Sequence, residues 1–159
     1  RTGYVNNAPD KNRQIIASGH RYFKQQEYDK AIADYSKAIT SEPSNFQGYY
    51  WRGMAYVKKN MDNEAFADFS KVVEVMPQNA AAHNWLGWLH SKNKRYPEAI
   101  VSLSRALEIN PKNGWTYYQR GHCYLARGER MKALDDFNKG CGLGNKNSCR
   151  VLEVITRRG

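Results

Sequence analysis

No apolar run in this chain of 159 residues approaches the roughly 20 that a membrane-spanning helix needs, so no membrane span is expected in it. The basic start, apolar middle and small-residue cleavage site of a secretory leader are missing as well. The chain opens at Arg1 without a Met, and we expect a processed or excised piece. Catalytic constellations are equally scarce. No Ser-His-Asp order, glycine-rich phosphate loop or paired-carboxylate site stands out, which excludes the commoner enzyme classes and leaves no reason to expect a cofactor. Carboxylates are in short supply, with 15 Asp and Glu against 25 Lys and Arg, a formal charge of +10. That imbalance favours acidic partners and long-range steering but does not bear on fold. With 41% hydrophobic and 25% charged residues, the chain is not a disordered tail.

What the chain does have is a beat. Pro43, Pro77 and Pro111 stand 34 residues apart, and Gly19, Gly53, Gly87 and Gly121 keep the same interval, as do Ala31, Ala65, Ala99 and Ala133. A fixed period of this length predicts a stacked array of helical units with one core running along it.

The units run over 12–45, 46–79, 80–113 and 114–147, after an N-terminal extension of 1–11. In the first helix of each, positions 4, 8 and 11 share one face at helical spacing; in the second unit these are Tyr49, Gly53 and Tyr56. A glycine in mid-helix costs roughly 1 kcal/mol against alanine, so four in register predict a close crossing by the second helix. Positions 21, 24 and 28 of the second helix supply bulk, for example Ile32, Tyr35 and Ile39. Proline then ends that helix and pushes Glu42, Met76 or Asn110 out of helical geometry; Gly144-Asn145 does the same in the fourth unit. Val151, Leu152, Val154 and Ile155 among charges predict one more helix over 148–159, a cap for the array.

These residues resemble the tetratricopeptide repeat. The first unit supplies Gly19, Tyr22, Ala31, Tyr35, Ala38 and Pro43 at the pattern's positions, and the stretch from Tyr22 is close to a family consensus. The other units depart from it: His83 and His90 replace aromatics, Asp62 sits where Tyr28 and Tyr96 sit, and Val72 and Gly140 replace the second alanine. The resemblance implies an all-α, right-handed superhelical solenoid of four helix-turn-helix repeats with a C-terminal capping helix. It also implies that the first helices line the concave side and the second helices the convex side.

Positions 2, 5, 6, 9, 12 and 13 of each first helix lie opposite the 4, 8, 11 face at 100° per residue. They hold all four tryptophans, Trp51, Trp85, Trp88 and Trp115, together with Tyr50, Met54, Tyr118, His20 and His122. Trp and Tyr dominate binding hot spots, so these are the candidate groove residues. The competing reading packs the tryptophans between neighbouring first helices. Lys24, Lys58 and Lys92 repeat on the rim, as a cationic rail or as a solvated edge. Arg52 and Arg120, both at position 7, either pair with acidic groups of the repeat or do not.

Some relatives clamp a chaperone's C-terminal carboxylate with Lys, Asn and Arg at set positions. Ile16, His20, Trp51, Ala81 and Trp85 occupy those positions here, so that partner is disfavoured. His83 and His90 take packing positions. His20 and His122 stand three repeats apart, too far to share a metal when helices lie about 8–10 Å apart, and no metal site is expected. Cys123 reads as a small buried apolar residue. The run around Cys141 and Cys149 looks like the join between Sel1-like repeats, whose secreted members pair cysteines at this separation. The resemblance thus implies a bridge there and an extracytoplasmic home; two reduced thiols in a cytosolic protein is the alternative.

The functional expectation is a non-catalytic scaffold that binds a peptide or helix of another protein in an aromatic, basic-rimmed groove. Two alternatives stand beside it. One is a polyanion, RNA or an acidic polysaccharide, although nucleic acid is the less expected partner. The other is self-association, with the groove of one copy receiving residues 1–11 of another.

Overall fold

The computed structural model describes residues 8–157, which form nine helices and no strand. In order these are α1 (Ala8–Lys24), α2 (Tyr28–Ser41), α3 (Phe46–Lys58), α4 (Asp62–Val75), α5 (Ala80–Lys92), α6 (Tyr96–Ile109), α7 (Gly114–Ala126), α8 (Arg130–Gly142) and α9 (Lys146–Arg157). The fold is the all-α helical solenoid the periodicity predicts. Of the expected extension over 1–11, residues 1–7 lie outside the described residues, and Ala8–Lys11 already belong to α1. Pro9 is tolerated there because a first-turn residue needs no N–H for the helix. The cap helix likewise begins at Lys146, two residues before the expected 148, and residues 158–159 lie outside the described residues. The Asn145 side chain sets that start by accepting from the Ser148 amide at 2.8 Å.

The same capping device opens α3, α5 and α7. Asn45 accepts from the Gln47 amide, Asn79 from Ala82, and Asn113 from Trp115 and Thr116, each cap contributing about 1 kcal/mol. Before the prolines, Glu42, Met76 and Asn110 take φ of −145°, −133° and −131°, outside the helical region as expected. Gln26, Asn60, Lys94 and Gly128 stand at one position of the turn between paired helices, and all have positive φ, between 57° and 77°. Only the last is a glycine, so three side chains sit in left-handed backbone.

Two compact units divide the chain, Arg1–Pro77 and Gln78–Gly159. In the first, α1 pairs with α2 and α3 with α4, and α2 packs on α3. In the second, α5 pairs with α6 and α7 with α8, while α6 packs on α7 and α8 on α9. The glycine crossings occur at the predicted register. A Cβ at Gly53 would stand 3.1 Å from Phe69 Cζ, and one at Gly121 would stand 2.8 Å from Phe137 Cε1. Gly19 meets Tyr35 and Gly87 meets Leu103 in the same way. These four second-helix side chains are fully buried.

The first helices bury more than the 4, 8, 11 face. Gly48, Ala82 and Thr116 at position 3 are buried, as are Ala55, Leu89 and Cys123 at position 10. That second buried side of α3 and α7 faces the second helix of the preceding repeat, on which each packs. At the C-terminal end, Gly140 stands against Ser148, where alanine would collide with α9. The missing second alanine of the fourth repeat is thus what lets the cap helix approach. A disulfide joins Cys141 to Cys149 across this contact, with their Cα atoms 4.8 Å apart.

Candidate functional site

In the first unit, Trp51 on α3 does not point clear of the core. It is half-buried against the cluster of Ile16, Ala31, Tyr35 and Ala38, with its ring 4.6 Å from His20 and 6.0 Å from Phe23 on α1. At this position the indole packs between neighbouring first helices. Position 6 points away from its own second helix, but toward the first helix of the repeat before it. His20 is also tied inward, its Nδ1 lying 2.8 Å from the Tyr35 hydroxyl. Burial, reinforced by Lys24, lowers the His20 pKa, and burial pushes the Tyr35 hydroxyl up. Tyr50 meets Trp51 edge-on at 5.6 Å and Phe69 at 5.7 Å. Met54 is half-buried, and Lys24 and Lys58 are exposed.

In the second unit Trp115 and His122 are exposed, while Trp85, Trp88 and Tyr118 are half-buried. Trp85 and Trp88 on α5 meet edge to face at 5.7 Å, and the exposed Lys92 ammonium lies 5.1 Å over the Trp88 ring. Trp115 and Tyr118 on α7 stack at 5.0 Å with 27° between their planes, and Trp115 remains 43% exposed. His122 stands 4.5 Å from Tyr118 and 5.2 Å from Phe137, with its residue exposed overall. The candidate groove residues therefore fall into two groups. His20, Tyr50, Trp51 and Met54 belong to the first unit, and Trp85, Trp88, Trp115, Tyr118 and His122 belong to the second.

A constellation that the groove reading missed is present once in each unit. Arg52 donates from Nε and Nη2 to the two carboxylate oxygens of Asp68, both at 2.8 Å, and from Nη1 to Ser36 Oγ at 3.0 Å. Arg120 does the same to Asp136 at 2.8 Å twice and to Ser104 Oγ at 2.9 Å. Tyr49 and Tyr56 flank the first guanidinium, and Tyr117 and Tyr124 the second. Burial pushes the Asp68 carboxyl above its ordinary pKa, against the pull of Arg52's hydrogen bonds. Each arginine bolts a helix pair to the second helix of the preceding repeat. The signal was in the sequence: serine, arginine and aspartate follow one another at intervals of 16 residues in both boxes. Each box joins three helices of its own unit.

Among the described residues, no group of three or more His, Cys, Asp or Glu could hold a metal ion. No helix among them is long and apolar enough to cross a membrane. Cys123 is buried and unbridged, and burial raises its thiol pKa.

Comparison with known proteins gives a consistent result. Family models described as TPR repeat or tetratricopeptide repeat match residues 19–60, 46–79, 80–113 and 103–135. No curated protein matches by sequence. Among solved structures, a crystal structure of MamA is 26% identical with a TM-score of 0.75, covering 79% of this chain and 73% of that one. MamA from Desulfovibrio magneticus RS-1, residues 41 to the end, is 18% identical with a TM-score of 0.77, covering 85% and 76%. The TPR domain of Arabidopsis OM64 is 21% identical with a TM-score of 0.70, covering 74% and 97%. The last two show the fold alone.

Proposed function

The chain belongs to the tetratricopeptide repeat family, and from that premise we propose that it is a non-catalytic scaffold seating a peptide or helical segment of another protein on its first-helix face. The family's fold supports a protein-binding role, and what carries the finer reading is the stacked, half-open pair Trp115 and Tyr118 on α7. Trp115 is 43% exposed, while Tyr118 beneath it is held edge-on against the core ring of Phe137 at 6.2 Å. Rigid aromatic side chains offer large contact area for little ordering cost, and a preformed surface binds without reorganising. His122 and Trp88, with the rim lysine Lys92, extend the same surface within the second unit.

The test is affinity capture with the intact chain and with the Trp115→Ala, Tyr118→Ala double variant. The reading expects one partner segment retained by the former and lost by the latter, with helical content unchanged. Equal retention by both would contradict it. The disulfide supports an oxidising compartment for this scaffold, because such bonds persist outside the reducing cytosol.

A further inference from the structure

The first helices are almost empty of negative charge. From Lys11 onward α1 carries no Asp or Glu, and α3, α5 and α7 carry none at all. Every carboxylate between Lys11 and Asn145 stands on a second helix or in a turn. In the second unit those carboxylates are all engaged. Arg95 pairs with Glu98, Arg105 with Glu108, Lys132 with Glu129, Lys139 with Asp135 and Arg120 with Asp136, at 2.6–2.9 Å. Outside those pairs, the cations of the second unit's described residues stand in the turns (Lys94, Lys112, Arg127), at the start of α8 (Arg130), at the end of α5 (Lys92) and on the cap helix (Lys146, Arg150, Arg157). On α9, Lys146, Arg150 and Arg157 fall within 40° of one another at 100° per residue, and all three are exposed.

Resting on the scaffold reading above, we propose that the first-helix face of the second unit takes an acidic segment of another protein, in which carboxylates alternate with aromatic or aliphatic residues. The apolar residues of the segment seat against Trp115, Tyr118 and Trp88. Its carboxylates meet Arg150, with Lys146 and Arg157 beside it, on α9. A face poor in like charge discriminates as much by what it lacks as by what it offers, since a basic segment would find no carboxylate on α5 or α7 and only Glu153 beside the three cations of α9. Nucleic acid fits less well. Single-strand binding stacks successive bases on several ring faces, whereas Trp85 with Trp88 and Tyr118 with His122 stand edge to face at 84° and 80°, which leaves the stacked pair Trp115 and Tyr118 as one such platform.

The test uses three fluorescein-labelled probes and the full chain: a random Glu–Tyr copolymer, a Lys–Tyr copolymer and polyuridylate, followed by anisotropy at rising salt. The expected result is saturable binding of the Glu–Tyr copolymer, at least tenfold tighter than the other two and weakened by salt. Adding the missing sign should abolish that preference. In Asn84→Asp with His122→Glu, the first change keeps the acceptor that Thr116 Oγ1 uses at 2.9 Å, and the second lies on an exposed residue. A loss of at least tenfold for the Glu–Tyr copolymer is expected, with unchanged circular dichroism; Arg150→Glu on the exposed face of α9 provides the same test if the pair does not fold. Equal binding of both copolymers, or undiminished binding by the folded variants, overturns the acidic segment while leaving the scaffold reading standing. Tighter binding of polyuridylate overturns it in favour of nucleic acid. No binding of either copolymer overturns both readings.

Discussion

Arg120 and Asp136 are joined by two parallel hydrogen bonds of 2.8 Å each, with the carboxylate 1% exposed. Both atoms of the acid are satisfied, so removing either partner leaves a buried charge without compensation. Asp136→Ala should destabilise by about 3 kcal/mol or more, measured by urea unfolding. Arg120→Lys should recover only part of the loss, because an ammonium cannot reproduce the planar fork. A change below about 0.5 kcal/mol for Asp136→Ala would show that the pair does not fasten the repeats.

The glycine crossings give a second expectation. In Gly53→Leu the new Cβ would stand 3.1 Å from the Phe69 ring and its branches would have to enter a fully packed contact. Overpacking of this kind costs roughly 1–3 kcal/mol and occasionally more. Thermal unfolding checks it, and an unaltered melting temperature would place the crossing elsewhere.

Helix pairing, the glycine register and the proline stops were legible because each is fixed within one repeat and then copied. The orientation of Trp51 was left between two readings, an open groove and packing on the neighbouring first helix. One helix wheel shows which side faces away from the partner helix, but not that α1 stands on that side, with His20 and Phe23 against the indole. The arginine boxes lay between these cases. Ser36, Arg52 and Asp68 come from three helices, so no single-repeat pattern holds them, yet their equal spacing and its recurrence at Ser104, Arg120 and Asp136 were present in the letters. Gly140 looked like a departure from the family pattern until Ser148 of α9 was seen against it. The start of α1 depended on tolerance of Pro9 in a first turn, which a period beginning at residue 12 conceals.

Lys94 occupies left-handed backbone with φ of 59° at the turn where the fourth repeat has Gly128. A non-glycine residue is strained there by roughly 1–2 kcal/mol, which glycine relieves at some cost in chain entropy. Lys94→Gly should therefore stabilise by up to about 1 kcal/mol. Chemical denaturation of the variant and its parent measures the sign directly, and destabilisation would contradict the turn geometry.

Stability should also fall on mild acidification. The pKa values of His20 and His90 are both lowered, chiefly by burial. Their unfolded forms therefore take up protons first as pH drops below about 6.5. The contribution of neutral histidine is complete above that value and is lost as pH falls toward the lowered folded values. The melting temperature should drop between about pH 7 and 5, and less steeply in His20→Gln. A flat profile would contradict the buried neutral state.

The cap helix offers a thiol count. With Cys141 bridged to Cys149 and Cys123 buried, the unfolded, unreduced chain should expose one free thiol. Reduction should loosen α9 and cost roughly 2–3 kcal/mol, given the short loop that the bridge closes. Three free thiols would overturn the bridge.

The central claim, that the first-helix face is the working surface, is tested most directly by where a partner can be cross-linked. A photoreactive side chain placed at His122, exposed on α7, should capture the retained partner segment, whereas the same group at Val101, 71% exposed on α6, should capture nothing. Cross-links from Val101 with none from His122 would contradict the account and move the working surface to the second helices.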